Sequence, residues 1–183
     1  MQIVDLKPEE EKIIHQIASL LVEAFKKHWP EAWPDMNAAL KEVRDSFVAD
    51  RISRVAIDEA NEVLGRISGR PHYDGNVWEL HPLVVSPAAQ GTGIGRALVA
   101  DLEARVKERG GLTISLGTDD EDNQTSLAGV DLYPNVFEHI VKIKNLRNHP
   151  YEFYRKLGFV IVGVMPDANG FGKPDIYMAK RVS

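Results

Sequence analysis

Three groups of residues in this 183-residue chain have the types and spacing that chemistry needs. The first is Glu79 and His81, two apart in the apolar run Trp78-Glu79-Leu80-His81-Pro82-Leu83-Val84-Val85. Residues two apart in a strand share a face, so the carboxylate and imidazole project one way and Trp78 and Leu80 the other. Such a pair is suited to taking up and passing on a proton. Pro82 has no N–H to give to a ladder, so it marks a bulge or a point where the neighbouring strand has moved away. The second group is the turn Gln90-Gly91-Thr92-Gly93-Ile94-Gly95-Arg96, between that strand and a helix. Glycines let the backbone approach a ligand closely, and a helix start adds positive partial charge, which together suit a phosphate. The third is Asp119-Asp120-Glu121-Asp122, which opens a long loop. Adjacent carboxylates either stay solvated or meet a cation through charge-assisted hydrogen bonds.

The glycine turn distinguishes among phosphate ligands. A triphosphate-binding loop would place Lys and Ser or Thr after its last glycine, but Gly95 is followed by Arg96 and Ala97. A dinucleotide loop would read G-x-G-x-x-G near the start of its unit; here the glycines stand at 91, 93 and 95, and a hairpin and helices precede them. A coenzyme A pyrophosphate remains, against the alternative of a tight turn with no ligand. The alternation Asp119, Glu121, Asn123 hints at a calcium loop, but Gln124 occupies the place of the turn glycine. His15, His28, His72 and His139 have no metal-like spacing and read as surface or packing residues, so no metal is expected.

These groups need elements to hold them. Pro8 and the acids Glu9 to Glu11 open a helix whose apolar residues, from Ile13 to Phe25, recur at helical spacing to about Lys27. The corner His28-Trp29-Pro30-Glu31-Ala32-Trp33-Pro34-Asp35 breaks it, and a second helix carries Met36, Leu40, Val43 and Phe47 on one side. Strands are expected over Ser53 to Ile57 and Glu62 to Ser68, joined as a hairpin through Asp58 to Asn61, and over Asn76 to Ser86. Ile94, Leu98, Leu102 and Val106 repeat every four residues in a helix over Gly93 to Arg109, which Gly110 and Gly111 end. Leu112 to Gly117 follows as a strand, residues Thr118 to Asn148 form a long connection, His149 to Leu157 is a short helix, and Phe159 to Met165 and Asp175 to Lys180 are strands. This order predicts one α/β domain over residues 1–183, built on a mixed sheet.

Composition narrows the class. Hydrophobic residues are 44% of the chain and charged residues 27%, enough for a core and a solvated surface. A net charge of -5 argues against nucleic-acid binding. The chain has no cysteine, which excludes a disulfide framework, a cysteine nucleophile and cysteine-ligated zinc. The acidic start is not a signal peptide, and no apolar run approaches the roughly 18 residues that span a bilayer. A cytoplasmic protein with no membrane partner is expected.

Gln90-x-x-Gly93-x-Gly95 resembles the acyl-CoA pyrophosphate loop of the GNAT acetyltransferases, and Phe153-Tyr154-Arg155-Lys156-Leu157-Gly158-Phe159 resembles that family's F-Y-x-x-x-G-F segment. The asparagine that many members carry seven residues before the tyrosine is Arg147 here, with Asn148 one place out of register. Further stretches are similar to the aminoglycoside 6′-N-acetyltransferases: Trp78 to Val85, Leu116 to Glu121, Thr125 to Tyr133, His149 to Gly158, Ile161 to Gly170 and Lys173 to Ile176. The resemblance implies the GNAT fold, a central mixed sheet flanked by helices, with strands that splay near Pro82 to admit the pantetheine arm. It implies acetyl-CoA as co-substrate and direct transfer to the 6′-amine of an aminoglycoside. Leu83, Val84, Val85 and the segment Gln90, Gly91, Thr92, Gly93, Ile94, Gly95 and Arg96 would bind the coenzyme. Glu79, with His81, would take the proton, the Leu83 N–H would stabilise the oxyanion, and Tyr154 would protonate the leaving thiolate. Trp29, Asp35, Glu79, Asp119 and Asp120 would line the substrate site, although Trp29 and Asp35 serve equally as local packing. The resemblance also suggests a homodimer through the long connection. Other amines (a polyamine, an amino acid, a protein N-terminus) or binding without turnover are the alternatives.

Overall fold

A computed structural model describes residues 1–26 and 29–182. Lys27 and His28, where the first helix was expected to end, lie outside the described residues, as does Ser183. The chain forms two compact units, Met1–Leu112 with Val182–Ser183, and Thr113–Arg181.

The first unit contains β1 (Gln2–Asp5), α1 (Glu11–Phe25), α2 (Met36–Asp45), β2 (Ile52–Ile57), β3 (Val63–His72), β4 (Val77–Val85) and α3 (Ile94–Glu108). Its strands pair antiparallel in the order β1-β2-β3-β4. The expected hairpin is β2–β3; the Asp58 carboxylate closes its turn by accepting from the Ala60 and Glu62 amides. β1 has no counterpart in the sequence reading. It is four residues long and half-exposed, so it is a strand because β2 pairs with it rather than through its own pattern.

Helices cover both faces of this sheet. Ile13, Ile14, Ile17 and Leu21 of α1, with Ala39 and Val43 of α2, bury against Val55, Ile57 and Val84 on one face. On the other face α3 lies close because β3 offers glycines. A Cβ on Gly69 would stand 2.9 Å from Leu102 Cδ1, and one on Gly65 would stand 2.7 Å from the Val84 carbonyl oxygen. Arg54 ties α3 to the edge, its guanidinium donating to Asp101 at 2.7 Å and to Asp5 at 2.6 Å.

The bulge read from Pro82 is present. Ile67 pairs with Leu83 and Gly69 with Leu80, so Ser68 alone stands opposite both His81 and Pro82. Directly paired residues share a face of the sheet. Glu79 pairs with Arg70 before the bulge and Val84 pairs with Arg66 after it. The two arginines are four apart in β3, so Glu79 and Val84, an odd and an even position of β4, face the same way. Simple alternation would have put Val84 on the opposite side; the extra residue in β4 reverses the faces beyond it.

The second unit contains β5 (Thr113–Asp119), α4 (Val136–Val141), α5 (Tyr151–Lys156), β6 (Val160–Met165) and β7 (Asp175–Arg181). β7 lies between β5 and β6 and is antiparallel to both. The connection from 120 to 150 is organised rather than loose. Thr125 and Asn145 form a bridge, and the Gly129 amide donates to the Gly172 carbonyl at 2.8 Å. The six-residue α4 inside it was not foreseen, because one and a half turns carry too little periodicity to be read.

Candidate functional site

The glycine turn begins the site in the first unit. Gln90 Nε2 donates to the Val85 carbonyl at 3.3 Å and Thr92 Oγ1 to the Ala89 carbonyl at 2.7 Å, folding the segment back on the end of β4. Gly91 and Gly93 have φ of 77° and 95°, and nothing lies within 4 Å of a Cβ built on either. Gly93 is the N-cap of α3 and no side chain caps the helix. The amides of Ile94, Gly95 and Arg96 therefore keep the helix's unsatisfied donors, with open space over the preceding glycines. Arg96 stands in this first turn with no acid beside it, an arrangement that opposes the dipole and favours an anion. These are the properties a pyrophosphate needs, so the residues present fit the coenzyme expected there.

Glu79 and His81 share a face of β4, but no hydrogen bond joins them among the described residues. Glu79 Oε2 meets His72 Nε2 at 3.3 Å. His72, read from the sequence as a surface or packing residue, is brought to the carboxylate by the β3–β4 register, which sequence spacing does not reveal. The His81 ring lies 6.0 Å from that of Trp33, whose indole packs edge-on to Phe25 at 4.6 Å. Burial pushes the His81 imidazole below its usual range, and the Arg70 guanidinium pushes it the same way. Arg70 is held by Glu42 of α2 at 3.2 Å. Of the three residues after the bulge, Leu83 and Val85 are half-exposed, while the Val84 side chain is core, leaving only its backbone for a ligand.

The Trp-Pro corner is built largely for packing. Asp35 is the N-cap of α2, its Oδ1 accepting from the Ala38 amide at 2.9 Å. Trp29 is half-buried with its ring 5.8 Å from Phe25.

In the second unit the acidic run divides by role. Asp120 is fully buried and its two oxygens accept from the Gln124 and Thr125 amides, each at 2.7 Å. Asp120, expected among the substrate contacts, holds the start of the connection and has no solvent exposure. Asp119 is half-exposed and accepts from Asn169 Nδ2. Its direct partner across the ladder is Asp175. Gly117 makes room for that carboxylate, since a Cβ there would stand 2.6 Å from Asp175 Oδ2. Tyr177 pairs with Gly117 in the same ladder, and its phenol is raised by burial and then by Asp175 and Asp119. Asp175 and Tyr177 were missed because their nearness to Asp119 depends on the pairing of strands 56 residues apart.

Tyr154 lies on α5 with its ring 5.1 Å from Phe153 and 5.7 Å from Phe159. Burial of its hydroxyl raises the phenol well above its ordinary value of about 10. His149 orients this helix. It is buried, its Nδ1 accepts from the Tyr151 amide at 3.2 Å, and its Nε2 donates to the Asp119 carbonyl at 3.0 Å. Those two bonds require the neutral imidazole, and burial lowers its proton affinity accordingly. Among the described residues no cluster of three or more His, Asp or Glu is arranged to hold a metal, and no helix is long and apolar enough to cross a membrane.

A mixed sheet whose strand passes through an open, uncapped glycine turn into a helix has the geometry that an acyl-CoA-dependent acyltransferase needs. Residues 14–133 match the acetyltransferase (GNAT) family, and the chain belongs to that family. Acetyl-CoA is accordingly its acyl donor. Among solved structures, the chain is similar to an aminoglycoside 6′-N-acetyltransferase complexed with coenzyme A. The two are 42% identical over 100% of this chain and 98% of that one, with a TM-score of 0.91. It is equally similar to the aminoglycoside 6′-N-acetyltransferase from Enterococcus faecium, at 42% identity, the same coverage and a TM-score of 0.90. Aminoglycoside 6′-acetyltransferase type Ii is 36% identical over 100% of this chain and 98% of its own, with a TM-score of 0.76. No match was found among curated proteins.

Proposed function

We propose that this enzyme transfers the acetyl group of acetyl-CoA directly to the 6′-amine of aminoglycoside antibiotics, working as one domain over residues 1–183. The observation that carries the reading is the full-length, 42% identity to aminoglycoside 6′-N-acetyltransferases together with the open glycine cradle before α3. The polycationic substrate is matched by the net charge of -5 and by the paired Asp119 and Asp175.

The coenzyme supplies an activated thioester. The amides of Gly91, Gly93 and the first turn of α3 hold its pyrophosphate, and the backbone of Leu83 to Val85 lies beside the arm. Glu79 and His81 remove a proton from the acceptor ammonium so that the nitrogen lone pair attacks the carbonyl carbon. The Leu83 N–H stabilises the oxyanion; one such donor contributes about 3 kcal/mol. When the C–S bond breaks, Tyr154 gives its proton to the thiolate. Trp29 borders the sugar, Asp35 positions α2 beside it, and Asp119 binds an ammonium.

The same reading places the enzyme in the cytoplasm, where acetyl-CoA is available, with antibiotic resistance as the consequence. It also makes the protein a homodimer. Val160, Val162 and Met165 of β6, the outer strand of its ladder, are exposed, as are Phe137 and Val141 of the adjoining α4. An exposed apolar patch of this kind favours a second copy.

Thiol release from acetyl-CoA tests the proposal, with kanamycin, a kanamycin lacking the 6′-amine, a polyamine and a lysine peptide offered separately. Release with kanamycin and its loss with the 6′-hydroxyl analogue are expected. Release only with the polyamine or peptide would overturn the aminoglycoside assignment and leave the acetyltransferase class intact. Sedimentation of the wild type and Val162→Asp tests the dimer; a monomeric wild type would discard it.

A further inference from the structure

Behind β4 lies a group of charges that neither the coenzyme loop nor the acidic wall uses. Arg66, Ser68 and Arg70 occupy alternate positions of β3 and project from one face, the face that also carries Glu79. Arg66 has no solvent exposure, and its Nε, Nη1 and Nη2 have no hydrogen-bond partner. It pairs with Val55 on one side and Val84 on the other, both members of the α1/α2 core. A guanidinium so enclosed is costly to retain, and a hydrophobic residue of its volume would ordinarily be as stable or more so. Arg70 Nε and Ser68 Oγ are likewise buried without a partner. The acid from the helices is Glu42 of α2, held by Arg70. Ser68 is the residue opposite the His81–Pro82 bulge, so the two arginines flank the point at which His81 leaves the ladder.

Resting on the reading of His81 as a proton acceptor, we propose that Arg66 is a positioning residue for the transfer reaction. It is a buried, permanent cation set behind the bulge with Arg70, and it opposes a positive charge on His81, so that the imidazole meets the acceptor ammonium with an unprotonated nitrogen whose lone pair can take the proton. The need is physical: a site that gathers polycations through carboxylates also favours a protonated histidine, and a protonated histidine cannot serve as base.

The surrounding charges act in this sense. Burial lowers Arg66 only to about 10, so it stays charged through the working range. Burial is the largest influence on His81, followed by Arg70 from β3, Glu42 from α2, Glu79 from its own strand and, last, Arg66 from β3; the arginines oppose protonation and the carboxylates favour it. Removing the Arg66 charge therefore raises the proton affinity of His81.

The test follows the His81 ring by long-range proton–nitrogen NMR across pH in wild type, Arg66→Met, Arg66→Lys and Arg70→Met, beside the pH profile of kcat/KM with kanamycin. The expected result is a raised His81 midpoint in Arg66→Met, smaller than the rise in Arg70→Met. The acid limb of kcat/KM should move up by the same amount, and Arg66→Lys should restore both. Arg70 is half-exposed, so Arg70→Met supplies a folded variant with a shift of the same sign if Arg66→Met is poorly folded. A His81 midpoint that stays put in Arg66→Met, even if it moves in Arg70→Met, overturns the role of Arg66 and leaves His81 in the mechanism. A midpoint that moves while the acid limb does not overturns His81 as base, and the positioning role with it.

Discussion

Asp119 and Asp175 stand directly opposite one another across the β5–β7 ladder, with Gly117 on β5 leaving room for the Asp175 carboxylate. Two carboxylates at opposed positions repel until a cation lies between them, and such pairs are typically destabilising by roughly 0.2–1 kcal/mol. Asp119→Asn should therefore have opposite effects on binding and stability. KM for kanamycin rises, by about tenfold if one charge-assisted bond is lost, while the midpoint of urea unfolding of the free protein rises slightly. Steady-state kinetics and denaturation on the same preparation check both; an unchanged KM would remove Asp119 from the substrate site.

Tyr154 should be needed for turnover and not for holding the coenzyme. Tyr154→Phe is expected to lower kcat by about 10²-fold, within the range of general acid catalysis, with the calorimetric affinity for CoA unchanged. Because burial raises the phenol, it remains protonated across the working range. The pH profile of kcat should then show no alkaline limb below about pH 10. A limb at pH 9 that disappears in Tyr154→Phe would mean the hydroxyl is not enclosed as described.

Gly93 tests the cradle. At φ of 95° a valine is strained by at least the roughly 1–2 kcal/mol of a left-handed residue, and its side chain enters the open space over the turn. Gly93→Val should abolish measurable CoA binding by calorimetry. Gly75→Val is the control, for Gly75 also has a positive φ, 84°, and open surroundings but lies outside the turn. Equal loss of affinity in both would assign the effect to backbone strain alone.

His149 makes stability depend on pH. Its native bonds need a neutral ring and burial depresses its proton affinity, so the unfolded chain binds a proton that the folded chain refuses. The stabilisation is fully present above the unfolded value of about 6.5 and is lost as pH falls below it toward the lower native value. Urea midpoints measured from pH 7.5 to 5 should fall, and the fall should be shallower in His149→Gln, at a lower starting stability. An identical slope would show that other groups carry the acid sensitivity.

Much of this protein was legible from local order. The three- and four-residue repeats of α1 and α3, the turn chemistry of Asp58 to Asn61, and the glycines at 91, 93 and 95 act within a few residues of themselves, so spacing alone announced them. The same holds for the bulge, since a proline within a strand removes a ladder donor wherever the strand lies. β1 and α4 were not legible, being too short to carry a period. Neither was the division of labour within the acidic run, where adjacent residues of the same type proved to be a buried loop anchor, Asp120, and a half-exposed carboxylate, Asp119. The meetings of His72 with Glu79, of Asp175 with Asp119, and of Arg66 and Arg70 with the back of β4 were decided only by strand register. Register is set by which face each strand must bury and by where a bulge reverses it, and a one-residue change turns every side chain beyond it to the other side. Composition and motif thus determined the class of chemistry, while the tertiary pairing of distant strands decided which charges stand beside it.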